Sequence, residues 1–361
     1  MFNSTPPRPV NVRFFPDYRE FNPYQDLLYR SLGPTVAAEP LDGFERLVAD
    51  AGARNGPDVL HLHWETAAIT SGHLSAQAFL DSLSGFRDTG GRIVWTMHNL
   101  MPHDQRHRAV AEQIRNGLMT LCDLVHVHSL PALAAAMDHH ALPLDKVRVI
   151  AHGNYDGVYP MQRRDAARAA LELDGALNVV LLPGQIRGNK APDALIDAFL
   201  EVAGPEDRLV LTGHRMSDVK DLSIPDDPRI MAKFGFATDV ELAQAHAAAD
   251  FVVLPYTDSL TSGSAILAQT LERGVLGSDT AGLRDAVQMP STGILYDHTV
   301  AGTLEKALQS ALAEGPEVWA TRGKMAAQAV RARDWAVIGA TWRSLFHELA
   351  DMRRPARVLA P

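Results

Sequence analysis

The chain has 361 residues, a formal net charge of −9 from 34 Lys and Arg against 43 Asp and Glu, 46% hydrophobic residues and a single cysteine. That length exceeds what one hydrophobic core usually spans, so two domains are expected, and the acidic balance argues against nucleic acid as a partner. One cysteine excludes an internal disulfide, no stretch reaches the roughly 20 apolar residues needed to cross a bilayer, and MFNSTPPRPVNVRFF lacks the layout of a secretory signal, which points to the cytoplasm.

In chain order, apolar runs predict strands at 10–14, 58–63, 92–97, 124–128 and 147–150, then at 178–182, 208–212, 229–234, 251–254 and 275–277. Helices are expected at 42–53, 104–121, 130–139, 191–203, 239–248 and 263–273, and a last one at 334–350. Strands alternating with helices define a parallel α/β architecture. Turn residues in HGNYDGVYPMQRRD put the domain boundary within 153–176. Cys122 lies in an apolar stretch with no Lys or Arg within five positions, and so is read as unreactive.

Two stretches of the second half have the make-up of a phosphate site. FVVLPYTDSLTSGSAILAQT is a strand ended by Pro255, a loop, and a helix start at which Ser262 or Ser264 can cap while Gly263 leaves backbone N–H groups open to an anion. Alone it is equally a Ser-capped helix with no ligand. VVLLPGQIRGNKAPDALIDAF is a strand, a loop with Gly184, Arg187 and Lys190, and a helix; those cations are either solvated or set to neutralise a phosphate. Both in one domain point to a nucleoside diphosphate. G-x-G-x-x-G, the P-loop pattern and G-x-S-x-G are all missing, which disfavours a dinucleotide oxidoreductase, a P-loop enzyme and a serine hydrolase.

The first half carries polar clusters behind two strands. His61 and His63 alternate on one strand, with Trp64 and Glu65 following; His98, Asn99, His103 and Asp104 follow strand 92–97. The histidines lack cysteine partners or an H-E-x-x-H pattern, so no metal is expected. Asp104 is either a helix cap or a group that takes a proton.

The order strand, G-x-x-R-x-x-K, helix, then LPY, SG, helix and R-G-V resembles the donor half of glycosyltransferases with two Rossmann-like domains. The closer likeness is to bacterial exopolysaccharide β-mannosyltransferases of the xanthan-assembly kind. It runs through Asn22-Pro23-Tyr24, DVLHLHWE at 58–65, WTMHNLMPHD at 95–104, HGNYDGVY at 152–159, GQIRGNK at 184–190, PYTDSLTSGSAILA at 255–268 and RDWAVIGATWRSLF at 333–346.

The resemblance implies a GT-B fold: an acceptor domain over 1–155, a nucleotide-sugar domain over 156–330, a cleft between them, and a terminal segment, 331–361, crossing back onto the first. It also implies metal-independent, inverting transfer from a nucleotide sugar, GDP-mannose first, to a glycan or polyprenyl-diphosphate-linked oligosaccharide, with no cofactor. Gly184, Arg187, Lys190, Tyr256, Asp258, Ser262, Gly263 and Ser264 are the expected donor residues. Asp104 is the favoured base, ahead of His103, Glu65 and His98. A lipid-linked acceptor implies peripheral contact with the inner leaflet, for which Arg106, Arg108 and Arg115 with Ile114, Leu118 and Met119 form a candidate edge. Many retaining relatives of this fold carry Glu where this chain has Thr261 and Gln269, so its ribose contacts must differ. The alternatives are a retaining transferase using a UDP-sugar and a catalytically silent nucleotide-sugar-binding module.

Overall fold

The structure, a computed structural model, describes residues 8–51, 53, 56–70, 74–101 and 108–352. The chain divides into two compact units, one running to Gly153 and resuming at Asp334, the other spanning Asn154–Arg333.

Unit 1 contains, in order, β1 (Val10–Phe15), α1 (Pro23–Arg30), β2 (Val36–Pro40), α2 (Phe44–Asp50), β3 (Val59–Leu62), α3 (Ala67–Thr70), α4 (Ala76–Asp88), β4 (Arg92–Thr96), α5 (Arg108–Leu121), β5 (Leu124–Val127), α6 (Leu130–His139), β6 (Val147–Val149) and, after unit 2, α13 (Trp335–Asp351). Its strands form one parallel sheet in the order β2-β1-β3-β4-β5-β6. β3, β4 and β5 are buried throughout, as expected for central strands covered on both faces. Local chemistry sets the helix starts. Asn22 caps α1 through the Tyr24 N–H with Pro23 in its first turn, Ser129 caps α6, and Asp334 caps α13 through the Ala336 N–H. One sheet face packs Val12, Val59, Val94 and Leu124 against Tyr24 and Leu28 of α1 and Ile338, Trp342, Leu345 and Phe346 of α13.

Unit 2 contains α7 (Arg164–Ala170), β7 (Val179–Pro183), α8 (Pro192–Val202), β8 (Arg208–Gly213), β9 (Ile230–Phe234), α9 (Asp239–Ala248), β10 (Phe251–Leu254), α10 (Gly263–Thr270), β11 (Gly274–Ser278), α11 (Ala281–Ala286), β12 (Gly293–Tyr296) and α12 (Thr303–Val330). Its parallel sheet runs β12-β11-β10-β7-β8-β9, the doubly wound dinucleotide-domain order. Separate apolar clusters fill the two faces, one around Phe199, Phe251 and Trp319, the other around Leu181, Val252 and Ala268. Gly315, at φ +76, breaks α12, and Pro316 opens its second half.

Among the departures from the sequence reading are two edge strands and one helix. VAAEP (β2) has little β propensity and forms because it pairs with β1, while GILY (β12) pairs with β11. α7 lies inside the stretch expected to be the boundary. Its Arg164 and Arg168 both reach the buried Asp250 carboxylate, a tertiary contact that local periodicity does not reveal. The helix expected from 104 starts, among the described residues, at Arg108. Asp104, His103 and Arg106 lie outside the described residues.

Candidate active site

In an open α/β sheet, ligands settle at the carboxyl ends of the strands where the winding reverses. In unit 2 that point lies between β7 and β10, neighbours in the sheet but far apart in sequence. β7 ends at Gly184, which turns at φ +85 and donates its N–H to the Thr212 carbonyl at 2.9 Å. Gly213 meets this turn so closely that a Cβ there would lie 1.9 Å from the Gly184 carbonyl oxygen. The next loop returns through a tight turn over Gly188–Lys190 and enters α8 at Pro192.

The β7 and β10 loops are tied together. Thr257 donates its N–H to the Asn189 carbonyl at 2.9 Å, and the Asn189 side-chain amide donates to the Asp258 carbonyl at 3.3 Å. Lys190 curls back with its ammonium donating to the Pro183 carbonyl at 3.1 Å, 5.6 Å from the centre of the Tyr256 ring. The open side of Gly184 therefore faces two polar groups, Lys190 Nζ and Ser264 Oγ, 3.5 and 3.8 Å from where a Cβ would stand. Space next to a glycine backbone, an ammonium, a hydroxyl and a helix N-terminus makes a cradle for an anion.

Ser262 takes the capping role in α10, accepting the Ala265 N–H at 3.1 Å, so its oxygen is committed to the helix. The Gly263 and Ser264 N–H groups have no acceptor among the described residues. Arg187 shares the β7 loop, its guanidinium hydrogen-bonded to the Gln185 side chain. The Asp258 carboxylate makes no hydrogen bond or ion pair among the described residues. Gln269 is 1% exposed and donates to the Ala286 carbonyl at 2.6 Å, which explains why a glutamine, and not a ligand-facing glutamate, stands there.

Unit 1 gathers a different inventory. Parallel pairing puts residues 61 and 63, 96 and 98, 126 and 128, and 150 and 152 on one face, the face covered by α1 and α13. His61, His63, Thr96 and His126 are fully buried there, and His128 is 2% exposed. A continuous hydrogen-bond chain joins them. His126 Nε2 meets the Ile150 carbonyl at 2.8 Å, and His126 Nδ1 meets Thr96 Oγ1 at 3.0 Å. Thr96 Oγ1 meets His61 Nε2 at 2.8 Å, and His61 Nδ1 meets the Tyr29 hydroxyl at 3.0 Å. The Tyr29 hydroxyl meets His63 Nε2 at 2.7 Å, and His63 Nδ1 meets His98 Nε2 at 3.0 Å.

His98, half-buried, ends the chain and stacks on Trp64 with ring centres 4.2 Å apart. Trp342 covers His61 and His126 at 4.8 and 4.7 Å. Burial pushes His61, His63, His98 and His128 well below the usual histidine range and takes His126 down to about 4, so the cluster is neutral near pH 7. Neither ring nitrogen of His128 has a hydrogen-bond partner among the described residues. Among the described residues, no group of three or more His, Cys, Asp or Glu is arranged to hold a metal ion.

Glu65 is drawn elsewhere. Its carboxylate, 4% exposed, accepts Arg115 Nε at 2.7 Å and Trp95 Nε1 at 3.3 Å, so both its oxygens are engaged in buried contacts. Of the candidate membrane edge, Arg115, Ile114 and Leu118 are buried, while Arg108 is exposed and Met119 half-buried. Among the described residues no helix is long and apolar enough to cross a membrane. Missed from sequence were Tyr29, Thr96, His126, His128 and His152. The available signal was the repetition of H-x-H at 61–63 and 126–128 at the ends of two expected strands.

Comparison with known proteins agrees with this geometry. Residues 178–314 match the family described as glycosyl transferases group 1. The GDP-mannose:glycolipid 4-beta-D-mannosyltransferase of Xanthomonas campestris pv. campestris is 28% identical over 330 residues, covering 88% of this chain and 86% of its own. The D-inositol 3-phosphate glycosyltransferase of Gordonia bronchialis is 26% identical over 335 residues, covering 81% of this chain and 72% of its own. Among solved structures, sucrose-phosphate synthase of Thermosynechococcus elongatus superposes with a TM-score of 0.68 at 23% identity, over 88% of this chain and 82% of its own. HepE of Anabaena, with UDP and glucose bound, superposes with a TM-score of 0.70 at 15% identity, over 94% of this chain and all of its own. Residues 178–314, within the doubly wound second unit, thus form a glycosyl transferases group 1 domain, in a chain whose two parallel-sheet units have the GT-B fold.

Proposed function

We propose that the chain moves mannose from GDP-mannose to a hydroxyl of a glycan acceptor, lipid-linked in the cell, during polysaccharide assembly in the cytoplasm, with inversion and without a metal. The observation that carries this reading is the unit 2 cradle of Gly184, Lys190, Ser264 and the open N–H groups of α10, which suits a diphosphate leaving group. Arg187 and Lys190 supply the positive charge there. The mannosyl and GDP specificity rests on the 28% identical relative, and UDP-glucose is the second donor to try, since a HepE structure contains it. Unit 1 binds the acceptor, and its general base comes from the loop after β4, which carries His98, His103 and Asp104. Any membrane contact uses side chains other than the buried Ile114, Arg115 and Leu118.

The test is release of nucleoside diphosphate from a panel of GDP- and UDP-sugars, with water or added glycans as acceptor. Turnover of GDP-mannose, lost in Lys190→Ala, is expected. Tight binding with no turnover of any donor would instead identify a silent binding module.

A further inference from the structure

The hydrogen-bond chain of unit 1 has a direction, because one end is a group that can only accept. The Ile150 carbonyl requires His126 to carry its proton on Nε2, which leaves Nδ1 of a neutral imidazole as an acceptor. Thr96 has one hydroxyl proton, and it must go to His126 Nδ1; its oxygen then accepts from His61 Nε2. His61 Nδ1 is thereby an acceptor, and the Tyr29 hydroxyl donates to it. The Tyr29 oxygen accepts from His63 Nε2, His63 Nδ1 becomes the acceptor, and His98 donates from Nε2. Each step leaves one choice. Among the described residues no carboxylate or cation is hydrogen-bonded to any member, and burial opposes charging a ring, so a second proton does not break the sequence. The last link leaves the Nδ1 lone pair of His98 without a donor among the described residues, on the half-buried ring stacked against Trp64.

Resting on the glycosyl-transfer reading above, we propose that His98 is the general base, and that Tyr29, Thr96 and His126 are positioning residues that hold its Nδ1 unprotonated toward the acceptor hydroxyl. As the acceptor oxygen bonds to the anomeric carbon, its proton passes to His98 Nδ1. The electron pair of the breaking C–O bond leaves with the donor diphosphate. Asp104, favoured by sequence, then does not take the proton.

The experiment has two independent readouts. In protein carrying 15N-histidine, ring correlation spectra at neutral pH, assigned by loss of the signal in His98→Gln, should show His98 protonated on Nε2 only. Protonation on Nδ1, or on both nitrogens, would overturn the proposal, whatever the protein transfers. Thr96→Val and Tyr29→Phe should each mix the His98 tautomers and lower kcat by about 10-fold or more, with donor KM little changed and Thr96→Ser close to the parent. His98→Gln should lower kcat by about 100-fold or more, whereas Asp104→Asn should stay near normal. A large loss in Asp104→Asn with near-normal His98→Gln would overturn it, as would an unaltered His98 tautomer in both chain-breaking variants. A fixed tautomer in a protein that turns over no donor would sink the transferase reading and leave the chain's polarity standing.

Discussion

The two units are wound on nearly the same plan, yet the ends of their strands are furnished in opposite ways. Unit 2 leaves its strand ends open: a left-handed glycine, a lysine held by a carbonyl, and amides without acceptors among the described residues, a set of groups that suits an anion. Unit 1 closes its strand ends with imidazoles, four of them linked through Thr96 and Tyr29, under two tryptophans and a phenylalanine. A site for a diphosphate needs positive charge that water can reach, whereas a site that only redirects a proton works best buried and neutral. The contrast has consequences that separate the units in solution.

The largest is acid lability. His61, His63, His126 and His128 are held neutral by burial, below their unfolded value near 6.5, so the unfolded chain binds more protons as pH falls. Stability is therefore constant above about 6.5 and falls below it, by up to about 1.4 kcal/mol per pH unit for each ring. Unit 2 has a single fully buried ring, His246, lowered to about 4 by burial. Urea unfolding of Trp319→Phe, whose remaining tryptophans all lie in unit 1, should show a steep loss between pH 7 and 5 that unit 2 lacks. Parallel slopes for the two units would remove the contrast.

Next comes the buried charge of unit 2. The Asp250 carboxylate, fully buried, accepts from Arg164, Arg168 and the Val179 N–H, and Asp250→Ala should cost about 3–5 kcal/mol by stranding the arginines. Calorimetry should show the unit 2 transition moving down while that of unit 1 stays. Binding is a smaller effect. Arg187→Ala and Lys190→Ala should each weaken nucleoside diphosphate binding by about 1.5–3 kcal/mol in titration calorimetry, with little change in melting temperature. Unaltered affinity in both would empty the cradle of its meaning. Smallest is Ser262→Ala, which removes only the α10 cap and should lower stability by about 1 kcal/mol while donor affinity stays close to the parent.

The same contrast decides what was legible in the sequence. The cradle's residues are nearly contiguous, with Gly184, Arg187 and Lys190 on one loop and Ser262 to Ser264 on another, so local turn and capping chemistry exposes them. The histidine chain draws on four strands and α1, and its order across the sheet follows from β3, β4, β5 and β6 lying side by side, which no local pattern states. The ion pair of Glu65 is hidden for the same reason: its partner Arg115 is 50 positions away. Strands with apolar runs were readable from their own residues, whereas β2 and α7 owe their form to β1 and Asp250.

The placement of α13 also orders events during synthesis. Trp342 and Phe346, which roof His61, are encoded after the whole of unit 2, so the histidine face of unit 1 leaves the ribosome uncovered. At roughly 5–20 residues per second, the wait for its cover is on the order of ten seconds or more. Unit 2, continuous in the chain, can be complete before unit 1 is, and the tied β7 and β10 loops are assembled before the histidine chain has its roof.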